Sequence, residues 1–148
     1  MNQVSEIKIS YKNTIELIKV PKIKNSLMAK DILFETWNKD EIELFETFKV
    51  LYLNNSNSVK GILEHSKGGI TGTLVDVRII MATALKSLST ALILAHNHPS
   101  GRIIPSKPDI NLTKKIQRAA DYFDINVQDH IIISPDSKFY SFADNGLL

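Results

Sequence analysis

An uninterrupted aliphatic run, Ala91-Leu92-Ile93-Leu94-Ala95, passes directly into His96-Asn97-His98-Pro99-Ser100-Gly101. A run this short, closed by a turn containing proline and glycine, reads as a buried strand. Side chains alternate along a strand. His96 and His98 therefore point to the same side if strand geometry lasts that far, and Asn97 points to the other. Seven residues separate His98 from Ser106, and two more separate Ser106 from Asp109. Neutral imidazoles suit a zinc-like divalent metal, and Asp109 offers an oxygen ligand. Three protein ligands leave a fourth position for solvent, the pattern of a catalytic rather than a structural site. Plainer readings stand beside this one. A His-x-His pair arises by accident on surfaces and in cores, and Ser106-Lys107-Pro108-Asp109 is a good helix start. Ser106 suits the N-cap, Pro108 the first turn and Asp109 the positive helix end. The readings are compatible, because a helix start is a rigid place from which to hold an aspartate near a strand end.

Composition narrows the chemistry. The chain has no cysteine, which excludes disulfides, thiolate metal sites and the zinc deaminase signature with its cysteine pair. At 148 residues it is expected to be one domain, 1–148, able to bury roughly 70% of its unfolded surface. No apolar stretch approaches the roughly 18 residues of a membrane span and no signal-peptide pattern opens the chain, so a soluble cytoplasmic protein is expected. A net charge of +2 is too small to argue for nucleic acid.

Taken in order, residues 1–20 alternate apolar and polar around Val4, Ile7, Ile9 and Tyr11, then Ile15, Leu17 and Val20. This predicts two short strands or one interrupted extended arm, with a turn at Lys12-Asn13. The lysines of this end are read as solvated rather than as a nucleic-acid contact. Ser26 to Asn38 reads as a helix capped by Ser26. Leu44 to Leu53 reads as a strand and Val59 to Ser66 as its hairpin partner, across the turn cluster Asn54-Asn55-Ser56-Asn57. In that strand Glu46 shares a face with Phe48, Val50 and Tyr52. A carboxylate on an apolar face is costly without a partner, unless it lies at the strand end and reaches solvent. The glycines from Gly68 to Gly72 lack the Lys-Ser/Thr ending of a phosphate loop, so no nucleotide site is assigned. A helix beginning at Thr73 or Asp76 should bury Val77, Ile80, Met81, Ala84 and Leu85, and end near Ser87-Leu88-Ser89. Lys107 to Phe123 should form another, with Ile110, Leu112, Ile116, Ala119, Ala120 and Phe123 as its apolar contacts. Ile125 to Ser134 is a strand, turned by Pro135-Asp136-Ser137 into a closing strand over 138–142. The predicted order is β-α-β-β-α-β-α-β-β, an α/β layered architecture with a mixed sheet.

His96-Asn97-His98-Pro99-Ser100-Gly101 with Pro105-Ser106 and Asp109 resembles the JAMM (MPN+) metalloprotease motif in its RadC-type form: His-x-His, seven residues, Ser, two residues, Asp. The likeness extends upstream through Gly69-Ile70-Thr71-Gly72-Thr73-Leu74 and Val75-Asp76-Val77-Arg78. Downstream it takes in Asp129-His130-Ile131-Ile132-Ile133 and the stretch from Tyr140 to Leu148. It implies a cytidine-deaminase-like/JAMM α-β-α layered fold and a zinc ion held by His96, His98 and Asp109. It also implies hydrolysis of a peptide or isopeptide bond in a protein or peptide substrate. RadC-like proteins carry a catalytic glutamate seven residues before a Leu-Asn pair. Glu46 stands at that offset from Leu53-Asn54, with Glu41 and Glu43 as competitors. Ser106 inherits the role of stabilising the transition state. Where relatives often have a His-Pro pair, this chain has Asp76-Val77. The N-terminal helical module of longer relatives is expected to be absent.

Pro99 and Gly101 should shape the turn after the strand, and Asn97 and Ser100 should fix that loop by hydrogen bonds. His130, beside Asp129, is either a group backing the metal ligands or a buried histidine paired for structure, and His65 has little claim. Besides a metal-dependent hydrolase acting on a non-peptide amide, two functions of other classes stay open from sequence. One is the DNA repair or recombination accessory role historically attached to RadC-like proteins. The other is a non-catalytic MPN scaffold, against which the filled ligand positions argue.

Overall fold

The computed structural model describes residues 3–16, 19–68 and 73–148. Gly69, Ile70, Thr71 and Gly72 of the glycine-rich stretch, and Leu17 of the N-terminal alternation, lie outside the described residues. The elements are α1 (Ser26–Thr36), β1 (Thr47–Leu53), β2 (Val59–Lys67), α2 (Val77–Lys86), β3 (Ala91–Asn97), α3 (Lys107–Asp121), β4 (Asn126–Ile133) and β5 (Phe139–Ser141). The five strands form one mixed sheet in the order β2-β1-β3-β4-β5, parallel only between β3 and β4. The aliphatic run is thus the central strand, and every residue of β3 is buried.

Period-two alternation divides the core between the two faces of this sheet. Leu51, Leu53, Ala91, Ile93 and Ala95 pack against Ala29, Leu33 and Trp37 of the α1 side. Phe48, Val50, Tyr52, Leu92 and Leu94 pack against Ile80, Met81 and Ala84 of α2 and Ile116 and Ala120 of α3. The result is the expected helix-sheet-helix layering. His96 follows the parity of Leu94 onto the α2/α3 side, and Asn97 follows Ala95 onto the α1 side.

Several expectations change in detail. No strand forms among residues 3–16, and Val4, Ile7 and Ile9 remain 93%, 90% and 66% exposed. Alternation gives Ile7, Ile9 and Tyr11 a common face, but among the described residues no sheet edge pairs with it. Tyr11 instead fixes this arm to β2 by donating to the Lys60 carbonyl. The cap of α1 is Asn25, whose side chain accepts from Met28 N–H, one residue before the expected Ser26. β1 starts at Thr47 rather than Leu44, because the chain turns through residues 39–44. Leu85 and Phe123 are 41% and 51% exposed instead of buried. Leu85 lies in the last turn of α2, and Phe123 lies beyond α3, which ends at Asp121 rather than at the expected Phe123.

Tyr52 links the sheet to α2 by donating to the Ile80 carbonyl at 3.0 Å. Burial pushes its phenol well above the ordinary range, against a smaller opposing pull from Thr83. A proton retained in the fold but lost by the unfolded chain makes stability fall with rising pH. The contribution is intact below about pH 10, where free tyrosine titrates, and disappears as pH climbs toward the raised folded value. Denaturant titrations above that pH should show a steeper loss of stability for the wild type than for Tyr52→Phe. Equal slopes would place the alkaline sensitivity elsewhere.

Candidate metal centre

β3 ends at Asn97, but the backbone stays extended long enough to bring both histidines together. His98 N–H donates to the Ile133 carbonyl at 3.1 Å, continuing the pairing with β4 by one residue. The chain then turns, with Gly101 N–H donating to the His98 carbonyl at 3.0 Å. Gly101 adopts φ 85°, a left-handed conformation that favours glycine. Ser100 accepts from Arg102 N–H, and the Arg102 carbonyl returns to accept from His98 Nδ1 at 2.5 Å. A carbonyl can only accept, so the proton of neutral His98 is on Nδ1 and its Nε2 lone pair is free. That atom lies 2.9 Å from His96 Nε2.

Asp109 arrives from the other side on the first turn of α3. Ser106 is the N-cap of that helix and Pro108 lies in its first turn. The Ser106 hydroxyl accepts from Asp109 N–H at 3.1 Å, and Asp109 Oδ2 accepts from Ser106 N–H at 2.9 Å. This reciprocal capping box fixes the aspartate rotamer. It holds Oδ2 at 3.4 Å from both His96 Nε2 and His98 Nε2. The cap and the aspartate placement are one arrangement, so the two sequence readings of this segment coincide. Because Ser106 uses an oxygen lone pair to accept in the cap, its hydroxyl proton is not consumed there.

Glu46 completes the group. One ligand atom each from Glu46, His96, His98 and Asp109 lies within 4.8 Å of the others. Of the competitors, Glu41 is paired with Lys67 and Glu43 points to solvent. What places Glu46 is Asn97, on the opposite face of β3. Its buried amide donates to the carbonyls of Ile42 and Phe45 at 2.9 and 2.8 Å and accepts from Thr47 N–H at 2.7 Å. Gly68 N–H donates to the Glu46 carbonyl at 2.8 Å. Asn97 was expected to fix the loop that follows β3; its hydrogen bonds instead hold the 42–47 segment, which carries Glu46.

Electrostatics matches this geometry. Burial raises the Asp109 carboxyl, but the adjoining imidazoles of His96 and His98 more than reverse this and hold the group far below the usual carboxylate range. Burial pulls His98 down, and Asp109 with the Arg102 carbonyl more than reverses this. Two imidazole nitrogens and a carboxylate oxygen around one point are a donor set for a divalent cation. The residues present therefore fit a bound metal.

His130 lies behind His96 with its ring fully buried. Burial, then the neighbouring His96, holds it well below the ordinary histidine range. Its position depends on a feature that has no sequence signature. Leu92 pairs with Val127 but Ile93 pairs with Asp129, so β4 carries one extra residue, Gln128. This bulge reverses the parity of β4 and turns His130, opposite Leu94, toward the α3 side. His65 lies at another bulge, between the Phe48–Ser66 and Lys49–Glu64 pairs, and accepts from Asp76 N–H at 2.8 Å. It is not among the converging ligands.

Comparison with known proteins agrees with the fold and the motif. A family model described as "RadC-like JAB domain" matches residues 23–147. A UPF0758 protein of Flavobacterium johnsoniae is 50% identical over 102 residues, which are 69% of this chain and 44% of that protein. One from Porphyromonas gingivalis is 47% identical over 103 residues, 70% of this chain and 45% of the relative. The UPF0758 protein YeeS of Escherichia coli is 43% identical over 103 residues, 70% of this chain and 69% of YeeS. The matched region thus spans less than half the length of the first two relatives. Among the described residues no helix is long and apolar enough to cross a membrane. With most of its length matched by the family model, the chain belongs to the RadC-like JAB domain family.

Proposed function

We propose that this chain is a zinc-dependent metallohydrolase of the JAMM type, cleaving a peptide or isopeptide bond in a protein or peptide substrate. The observation that carries the reading is the convergence of Glu46, His96, His98 and Asp109 on one point. In this reading His96, His98 and Asp109 hold the zinc. When bound, the ion supplies Lewis acidity, polarising a carbonyl and lowering the pKa of water toward about 7. Glu46 is the general base: its carboxylate takes a proton from the attacking water and delivers it to the leaving amine. Ser106 directs its hydroxyl proton to the oxygen on which negative charge develops. The capping box leaves that proton available while locking the serine in place.

The test is metal analysis of purified protein, joined to a cleavage screen with unfolded peptides and ubiquitin-like conjugates. About one zinc per chain is expected. Cleavage should stop on chelation and return with added zinc. Protein free of stoichiometric zinc, or cleavage indifferent to chelator, would overturn the proposal.

A further inference from the structure

We propose that His130 and Thr113 are positioning residues that set the tautomer of His96, so that its Nε2 faces the cation with a free lone pair. This rests on the zinc reading and deepens it. Along one buried chain of hydrogen bonds the protons can be counted. Thr113 Oγ1 lies 2.7 Å from the carbonyl oxygen of Asp109 and 2.6 Å from His130 Nδ1. The carbonyl has no proton to give, so the single hydroxyl proton of Thr113 goes to it. Thr113 then accepts from His130, whose proton is on Nδ1. The His130 ring has no exposed surface and is enclosed by Phe142, stacked at 4.6 Å, and Phe48, edge-on at 5.7 Å. A charged imidazolium in such surroundings is costly without a counter-ion. The neutral ring therefore presents a bare Nε2, 2.7 Å from His96 Nδ1. His96 must donate there, and in the neutral ring that leaves its own Nε2 unprotonated.

The far end of the chain is the backbone of Asp109. The same three hydrogen bonds that orient one imidazole ligand therefore anchor it to the helix turn bearing the carboxylate. His98 reaches the same protonation pattern by an independent route through the Arg102 carbonyl. Partners of this kind orient metal-binding histidines, and their loss typically weakens metal affinity roughly 10–100-fold.

The experiment is long-range proton–nitrogen NMR of histidine side chains in the metal-free protein, with zinc affinity measured by competition against a chromogenic chelator. The wild type should show both His96 and His130 protonated on Nδ1. Thr113→Val keeps the shape but removes the acceptor. It should release His130 from that tautomer and weaken zinc binding roughly 10–100-fold. Thr113→Ser restores a hydroxyl and should recover both properties. Wild-type protein that binds zinc with His130 protonated on Nε2 would overturn the relay while sparing the zinc reading. So would Thr113→Val binding zinc as tightly as wild type. Wild-type protein with these tautomers but no zinc affinity would overturn the zinc reading, and the role with it.

Discussion

Replacing Glu46 by glutamine is expected to leave about one zinc per chain while lowering turnover roughly 10²–10⁴-fold, the range for a lost general base. Glutamine keeps the size of the side chain and loses only its capacity to take a proton. The backbone that carries it is held by the Asn97 amide and by Gly68 N–H, neither of which involves the side chain. The fold should therefore be indifferent to the change. His96→Ala is the informative contrast. It removes a nitrogen donor from the converging set and leaves Asp109 with one imidazole partner fewer, so zinc and activity should disappear together. Metal content and kcat measured on both variants separate chemistry from binding. Glu46→Gln protein that cleaves at the wild-type rate would remove Glu46 from the mechanism. Glu46→Gln protein that loses zinc would make the glutamate a ligand, which its place within 4.8 Å of the other donors also permits.

The parts of this arrangement legible in the sequence are those governed by local rules. An apolar run ending in a proline-glycine turn specifies a buried strand, and its period places His96 and His98 on one side and Asn97 on the other. Ser106, Pro108 and Asp109 announce a helix start, and α3 begins there with the capping box formed. Glu46 was singled out by the family resemblance, through its offset from Leu53-Asn54; parity from Phe48 gave it only a face, one residue before the strand proper begins. What sequence reading missed depends on pairing between distant segments. The bulge at Gln128 exists only because β4 must match β3 on both sides of it, and without it His130 would face α1. Alternation in residues 3–16 resembled strands because the pattern is local, while a strand needs a partner that the pattern does not name. Leu85 and Phe123 carried the right period but lie where no neighbouring element covers them. Asn97 could be assigned to a face from its parity, yet its partners Ile42, Phe45 and Thr47 are fifty or more residues away.

Asn97→Ala should be the most destabilising single change near the centre, and it touches none of the converging side chains. The amide is fully buried and satisfies three backbone groups: the carbonyls of Ile42 and Phe45 and the N–H of Thr47. Each buried group left without a partner costs about 1–3 kcal/mol. Relaxation of the loop toward water will relieve part of this, so a loss of about 3 kcal/mol is the reasonable expectation. That is a large share of the 5–15 kcal/mol that typically separates folded from unfolded domains. Asn97→Asp is the sharper probe. It keeps an acceptor for Thr47 N–H but sets a carboxylate against two carbonyl oxygens, so it should be at least as harmful despite identical size. Relief of the strain by moving the 42–47 loop carries Glu46 away from the histidines, whereas His96, His98 and Asp109 keep their own supports in β3, the Arg102 turn and the α3 cap. Folded Asn97→Ala protein should therefore retain zinc and lose turnover, with the loss in kcat rather than in metal affinity. Denaturant titration, metal content and kcat test these consequences separately. Wild-type stability in the alanine variant would mean that the amide does not hold the loop. Full stability loss with wild-type kcat in the remaining folded fraction would mean that the loop does not position Glu46.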